Sequence, residues 1–165
     1  MPRIIASGSR QDAYRGFCNS LKANGEASVP VLLVDSEGPV NAGPWQHLNS
    51  RPNDHMDRPP GATDDQCHLM VQLMESWFLA DPKTVKQYFG EDVVEKHLKA
   101  VADIEPVAKP DVLKRLRLAS KRSSHGKFEK ARNSFELLSC IDPASVERAS
   151  KHAKRLLDFL RDNCT

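Results

Sequence analysis

The chain has 165 residues, 39% of them hydrophobic and 28% charged, with a formal net charge of +2. That length suits one domain able to bury its own core, and the composition excludes a disordered chain. No apolar run approaches the roughly 20 residues of a membrane span, and Met1 to Ser9 hold too brief an apolar patch for a secretory leader, so the expected location is the cytoplasm.

Arg3-Ile4-Ile5-Ala6 has the composition of a short first strand, which Gly8 breaks. Residues 11–24 follow, with Tyr14, Phe17, Cys18 and Leu21 at i, i+3, i+4 and i+7, the spacing of one helix face. Asn24-Gly25 supplies the helix stop. Residues 29–35 are almost continuously apolar up to Asp35, the pattern of a strand buried on both faces in a parallel sheet. Strand, helix and strand in that order predict a right-handed βαβ unit.

Residues 38–66 are rich in Gly and Pro and read as a long irregular loop, a feature that in compact domains is usually functional or mobile. A strand is expected at 68–72, running into a helix over 73–81 with Met74, Trp77 and Phe78 inward. Asp81 caps a further helix over 82–89, with Pro82 in its first turn and Gly90 at its end. Residues 91–100 are amphipathic and predict a helix, and 104–110 a linker. Three helices complete the chain. The first is capped by Asp111 and buries Val112, Leu113 and Leu116; the second spans 128–140 with Phe128, Ala131, Phe135 and Leu138 inward; the third opens at Asp142-Pro143. The expected class is a single α/β domain, sheet-forming over 1–81 and mainly helical over 82–165.

Charge is unevenly spread. Residues 1–111 carry 16 Asp/Glu and 11 Lys/Arg, whereas residues 112–165 carry 6 and 13. Such a chain either holds cations at one place and meets an anionic partner at another, or presents two solvated faces of opposite sign. The stretch 114–132 concentrates Lys114, Arg115, Arg117, Lys121, Arg122, Lys127, Lys130 and Arg132 against Glu129 alone, a composition that neutralises phosphate backbones. No exposed aromatic is expected between them, so base stacking is not indicated. Cys18, Cys67, Cys140 and Cys164 are scattered, without CxxC spacing, and are expected to be free thiols. The six histidines show no HxH or HExxH spacing.

Asp35 and Glu37 are the leading candidates for chemistry. Sites in open α/β sheets gather at the carboxyl ends of strands, and Asp35 ends one, two residues before Glu37 and the Gly38-Pro39 turn. Two hard oxygen donors at that spacing can share a Mg²⁺-type ion, which could then activate water or steady a leaving oxygen. The competing reading is a strand-end turn in which Asp35 caps backbone N–H groups. Glu75 lies near the end of the next strand and serves the same site or pairs with a Lys or Arg. Asp64-Asp65 reads as a cap or loop pair. Arg10 stands where it could reach a phosphate.

The run from His68 to Asp81, with Leu33-Val34-Asp35-Ser36-Glu37-Gly38-Pro39 and Lys130 through Ile141-Asp142-Pro143, resembles a bacterial family of small proteins with a TOPRIM-like fold. The likeness covers nearly the whole chain, and Met74-Glu75-Ser76-Trp77-Phe78-Leu79-Ala80-Asp81 is its most specific part. It implies a compact, Rossmann-like, mainly parallel sheet whose acids hold Mg²⁺ or Mn²⁺, and a partner ATPase of AAA or ABC type, often in an anti-phage setting. By the likeness Asp35 and Glu37 match the acidic pair, Glu75 and Asp81 the second acidic segment, and Lys130 a basic position; apart from the likeness, Arg10, Lys127, Lys130 and Arg132 are the candidate phosphate contacts. The sequence departs from the pattern in one place. The glutamate expected after strand one is absent, and the stretch reads Ala6-Ser7-Gly8-Ser9-Arg10. The implied activity is therefore a metal-dependent nuclease or related phosphodiester effector, or else a non-catalytic adaptor or inhibitory subunit docked on the ATPase.

Overall fold

In the computed structural model, which describes residues 3–23, 28–52 and 54–163, the apolar run before Asp35 forms β1 (Leu32–Asp35). It pairs in parallel with β2 (Cys67–Met70), in a register running from Leu32 opposite Cys67 to Asp35 opposite Met70. These two strands make the sheet among the described residues. α1 (Arg10–Ala23) packs on β1, and α7 (Lys151–Asn163) on β2. The fold is thus α/β with a small parallel sheet and helices predominating.

Around the sheet lies a first core of Phe17, Leu32, Val34, Trp45, Leu48, Met56, Leu69 and Val71. The Phe17 and Trp45 rings sit 5.6 Å apart, joining α1 to α2 (Pro44–Asn49). A second core starts at Leu73 and gathers Phe78, Phe89, Ile104, Leu116, Phe128 and Leu137 from the helical half. Each such side chain, fully withdrawn from water, contributes about 1.5–3 kcal/mol. The seam between the cores falls at residues 71–73, directly after β2.

The helical half contains α3 (Pro82–Phe89), α4 (Lys109–Ala119), α5 (Lys130–Cys140) and α6 (Pro143–Ala149). Asp81 caps α3, its carboxylate accepting from Thr84 N–H at 3.1 Å. Asp142 caps α6 by accepting from Ala144 and Ser145 N–H.

Several expectations are corrected. Residues 3–6 form no strand, and Ile4 is 90% exposed, so β1 follows α1 without the first strand of the expected βαβ unit. The Asn24-Gly25 stop lies outside the described residues. The stretch 38–66 is not structureless: it holds α2, and its largest apolar side chains, Trp45, Leu48 and Met56, are core. Residues 74–79 form a 3-10 helix and not an α-helix, and 91–100 yields only a 3-10 turn at 95–97. α4 begins at Lys109, with Ala108 at its cap position, which places Asp111 inside its first turn. The last helix is divided at Ser150, whose hydroxyl and the following N–H of His152 both turn to Glu105. Cys18, Cys67 and Cys140 are free thiols, as expected, and Cys164 lies outside the described residues.

Candidate functional site

β1 ends at Asp35, and the chain then makes a tight turn under close control. Ser36 N–H donates to Met70 carbonyl and Glu37 N–H to Gln72 carbonyl, which extend the parallel contact past the strand ends. The Ser36 carbonyl accepts from His47 Nε2 at 2.8 Å and from Arg51 Nη1 at 3.2 Å, so α2 and the residues after it hold the turn from the other side. Asp54 fastens both Arg10 and Arg51 to this region. Glu37 itself has φ of 62°, the left-handed region that non-glycine residues adopt at a cost of about 1–2 kcal/mol. Local strain of this kind tends to persist where it aims a side chain.

The turn brings Asp35 and Glu37 to the seam between the two cores, and the helical half meets them with lysines. Asp35 Oδ1 accepts from Met74 N–H at 2.7 Å, and its other oxygen lies 3.7 Å from Lys130 Nζ. Glu75, 0% exposed, accepts from the buried Ser134 hydroxyl at 2.7 Å and has Lys130 Nζ 3.2 Å from its second oxygen. Glu37 pairs with Lys109. The Lys109 N–H also donates to Gln72 Oε1, tying the start of α4 to the residue that closes the Glu37 turn.

Lys109 and Lys130 are the first residues of α4 and α5, and neither helix has a side-chain cap. A cation at a helix start opposes the macrodipole, whereas carboxylates there are favoured. The lysines are therefore sustained by the acids they face. Burial pushes the Asp35 carboxyl above its ordinary range; Lys130 and the Met74 N–H oppose this, while Glu75 and Glu37 add to it. For Lys130 burial acts downward, but the carboxylates of Glu75, Asp35 and Glu37 outweigh it and hold the ammonium above its usual value.

Lys130 thus joins Asp35 and Glu75, a pairing not anticipated from the sequence, while Glu37 pairs separately with Lys109. Among the described residues, no group of three or more His, Cys, Asp or Glu side chains is disposed to hold a metal ion. Asp35 Oδ2 and Glu75 Oε2 instead share the Lys130 ammonium. The remaining candidates stand apart. Asp81 is the cap of α3 and also accepts from Asp142 N–H at 3.0 Å. Arg10 is committed to Asp54. Lys127 and Arg132 are exposed around the start of α5. Asp64 and Asp65 occupy a 3-10 turn that Thr63 and Gln66 cap, at the opposite end of β2. Sequence reasoning does not single out Lys109, Ser134, Gln72 or His47. Only Lys109 carries a signal, as a cation directly before Pro110 at a helix start.

The fold and site define an α/β protein with a lysine-neutralised carboxylate cluster at the carboxyl end of a small parallel sheet. The chain belongs to the family described as Domain of unknown function (DUF4276), which matches residues 2–161. No curated protein and no solved structure matches it significantly. No helix among the described residues is long and apolar enough to cross a membrane.

Proposed function

We propose that this chain is a TOPRIM-like effector acting on phosphodiesters with Mg²⁺ or Mn²⁺, in concert with an AAA- or ABC-type ATPase in anti-phage defence. The observation that carries this reading is the pair of carboxylate oxygens, Asp35 Oδ2 and Glu75 Oε2, facing one cation beside Glu37. Two carboxylates are a donor pair that suits such a metal, although no third His, Cys, Asp or Glu among the described residues joins them. The pair is all hard oxygen, and Mg²⁺ is usually held by one or two carboxylates with substrate phosphate completing its shell. In this reading the ion would take the place of the Lys130 ammonium. Asp35 and Glu75 would hold the metal, with Glu37 adding negative charge from the turn, and the bound ion would supply Lewis-acid stabilisation of an oxyanion.

The chain's own residues then have separate tasks. The Met74 N–H keeps the Asp35 carboxylate aimed at the seam. Ser134 orients Glu75. Lys130, nearly half exposed, can leave the carboxylates and take a phosphate oxygen instead. Lys109 can do the same from Glu37.

The test uses the purified chain on single-stranded DNA, duplex DNA and RNA, with Mn²⁺ binding measured by calorimetry. Wild type should bind Mn²⁺ and cleave in an EDTA-sensitive way. Asp35→Asn keeps an acceptor for Met74 N–H and removes a carboxylate that burial disfavours, so it should fold at least as stably at neutral pH while losing both properties. Cleavage by Asp35→Asn equal to wild type would refute the reading.

A second reading, an adaptor or inhibitory subunit on the ATPase, is favoured by one observation. Residues 3–7 form no strand and carry no carboxylate, and Arg10 beside them turns to Asp54, so no general base comes from that side. Capture of the ATPase without any metal-dependent cleavage would select it.

A further inference from the structure

α5 is turned against its own apolar pattern. Asn133, Ser134 and Leu137 face inward, while Phe135, expected in the core, is 70% exposed, and Ala131 is exposed with it. Polar contacts set this phase. Ser134 donates to Glu75, Asn133 Oδ1 accepts from Glu129 N–H at 2.8 Å, and Asn133 Nδ2 donates to the Tyr88 hydroxyl at 3.2 Å. Rotating the helix to bury Phe135 would break all three and draw Lys130 away from Asp35 and Glu75. Among the described residues Phe135 is the one aromatic in the set of exposed large hydrophobic side chains.

One cation shares the face of Phe135 and others lie on the preceding segment. Arg132 lies one turn earlier on the same face. Lys121, Arg122 and Lys127, on the segment leading into α5, are exposed, and none of these four cations is ion-paired among the described residues. Glu136, the acid next to Phe135, is engaged by the Tyr88 hydroxyl.

We propose that this face binds single-stranded nucleic acid, one unpaired base stacking on Phe135 while Arg132, Lys127, Lys121 and Arg122 hold the flanking phosphates. The inference rests on the phosphodiester reading and names its substrate class. An unstacked base has a free face for a phenyl ring, whereas a base inside a duplex has both faces covered. Free cations are what a phosphate backbone requires. A lone ring one turn from Arg132, with no second large exposed apolar side chain on the helix, is far smaller than the patch of a stable protein interface. Phe135 follows Lys130 by five residues, about 7.5 Å along the helix axis and about 140° around it, so a strand stacked on the ring has to pass round α5 to reach the carboxylates.

The experiment is fluorescence anisotropy in EDTA with labelled oligo(dT), oligo(U) and a duplex of equal length, for wild type, Phe135→Ala, Phe135→Trp and Arg132→Gln. Circular dichroism checks folding, and light scattering the oligomeric state. Phe135→Ala should weaken single-strand binding about tenfold and Phe135→Trp should restore it, as base–aromatic stacking requires. Arg132→Gln should reduce the salt dependence by about one counterion. Unchanged single-strand affinity in Phe135→Ala overturns the proposal, and so does an equal loss for the duplex. A change of oligomeric state at constant oligonucleotide affinity would instead assign the ring to a contact between copies. Binding in EDTA is independent of cleavage. Phe135-dependent binding without metal-dependent cleavage leaves this inference standing and removes the phosphodiester reading; cleavage indifferent to Phe135 does the reverse.

Discussion

The Lys130 ammonium lies 3.2 Å from a Glu75 carboxylate that no water reaches, and the same ammonium faces Asp35 at the end of β1. One cation therefore joins the helical half of the molecule to the sheet. A buried carboxylate is tolerated only with a partner, and removing that partner costs far more than the pair contributes on balance.

Replacing Lys130 by Met should accordingly destabilise the protein by about 3 kcal/mol, because Glu75 is left buried beside Asp35 without a countercharge. The double variant Lys130→Met with Glu75→Gln should recover most of that loss. Urea denaturation midpoints check both. A single Lys130→Met variant as stable as wild type would mean that Glu75 finds another partner.

The backbone at Glu37 offers a second test, since its φ of 62° suits glycine. Glu37→Ala and Glu37→Gly both remove the carboxylate and the Lys109 pair. They differ only in tolerance of the left-handed conformation, so Gly should be the more stable of the two by about 1 kcal/mol. Thermal denaturation of both gives the difference, and Ala ranking above Gly would show that the turn holds no strain.

At the other end of β2, burial and then the nearby Arg155 push His68 down to about 4, against the upward pull of the Asp65 carbonyl and carboxylate. The folded state therefore resists protonation. Stability is fully present above the ordinary histidine value and falls as pH drops toward 4, because the unfolded chain takes up the proton first. The loss should approach about 3 kcal/mol at most, since each tenfold difference in proton affinity between the folded and unfolded chain is worth about 1.36 kcal/mol. In His68→Phe that fall should be absent, as measured by denaturation midpoints between neutral and acid pH. Parallel curves for the two proteins would exclude His68 as the source.

The elements that depend on neighbouring residues were legible. Asp81-Pro82 and Asp142-Pro143 start helices because an acceptor one position before a proline satisfies local N–H groups wherever the chain lies. The apolar run ending at Asp35 is a parallel strand, but only over Leu32–Asp35 and with Leu33 exposed, so it is not buried on both faces as expected. Other expectations failed for want of a partner or a phase. Ile4 and Ile5 have the composition of a strand, yet a strand needs an edge to pair with. Trp45 and Met56 sit amid glycines and prolines that mark a loop, but their surface is large enough to be drawn into the core.

Periodicity by itself determined that 130–140 is a helix, and local chemistry determined where Asp35 and Glu37 stand. Only the tertiary structure decided which way that helix faces. Glu75, Ser134 and Lys130 come from distant parts of the chain, and a buried carboxylate demands its partners more strongly than one phenyl ring demands burial. The helix therefore turns its polar side inward, the lysine reaches Asp35, and Phe135 is left in water.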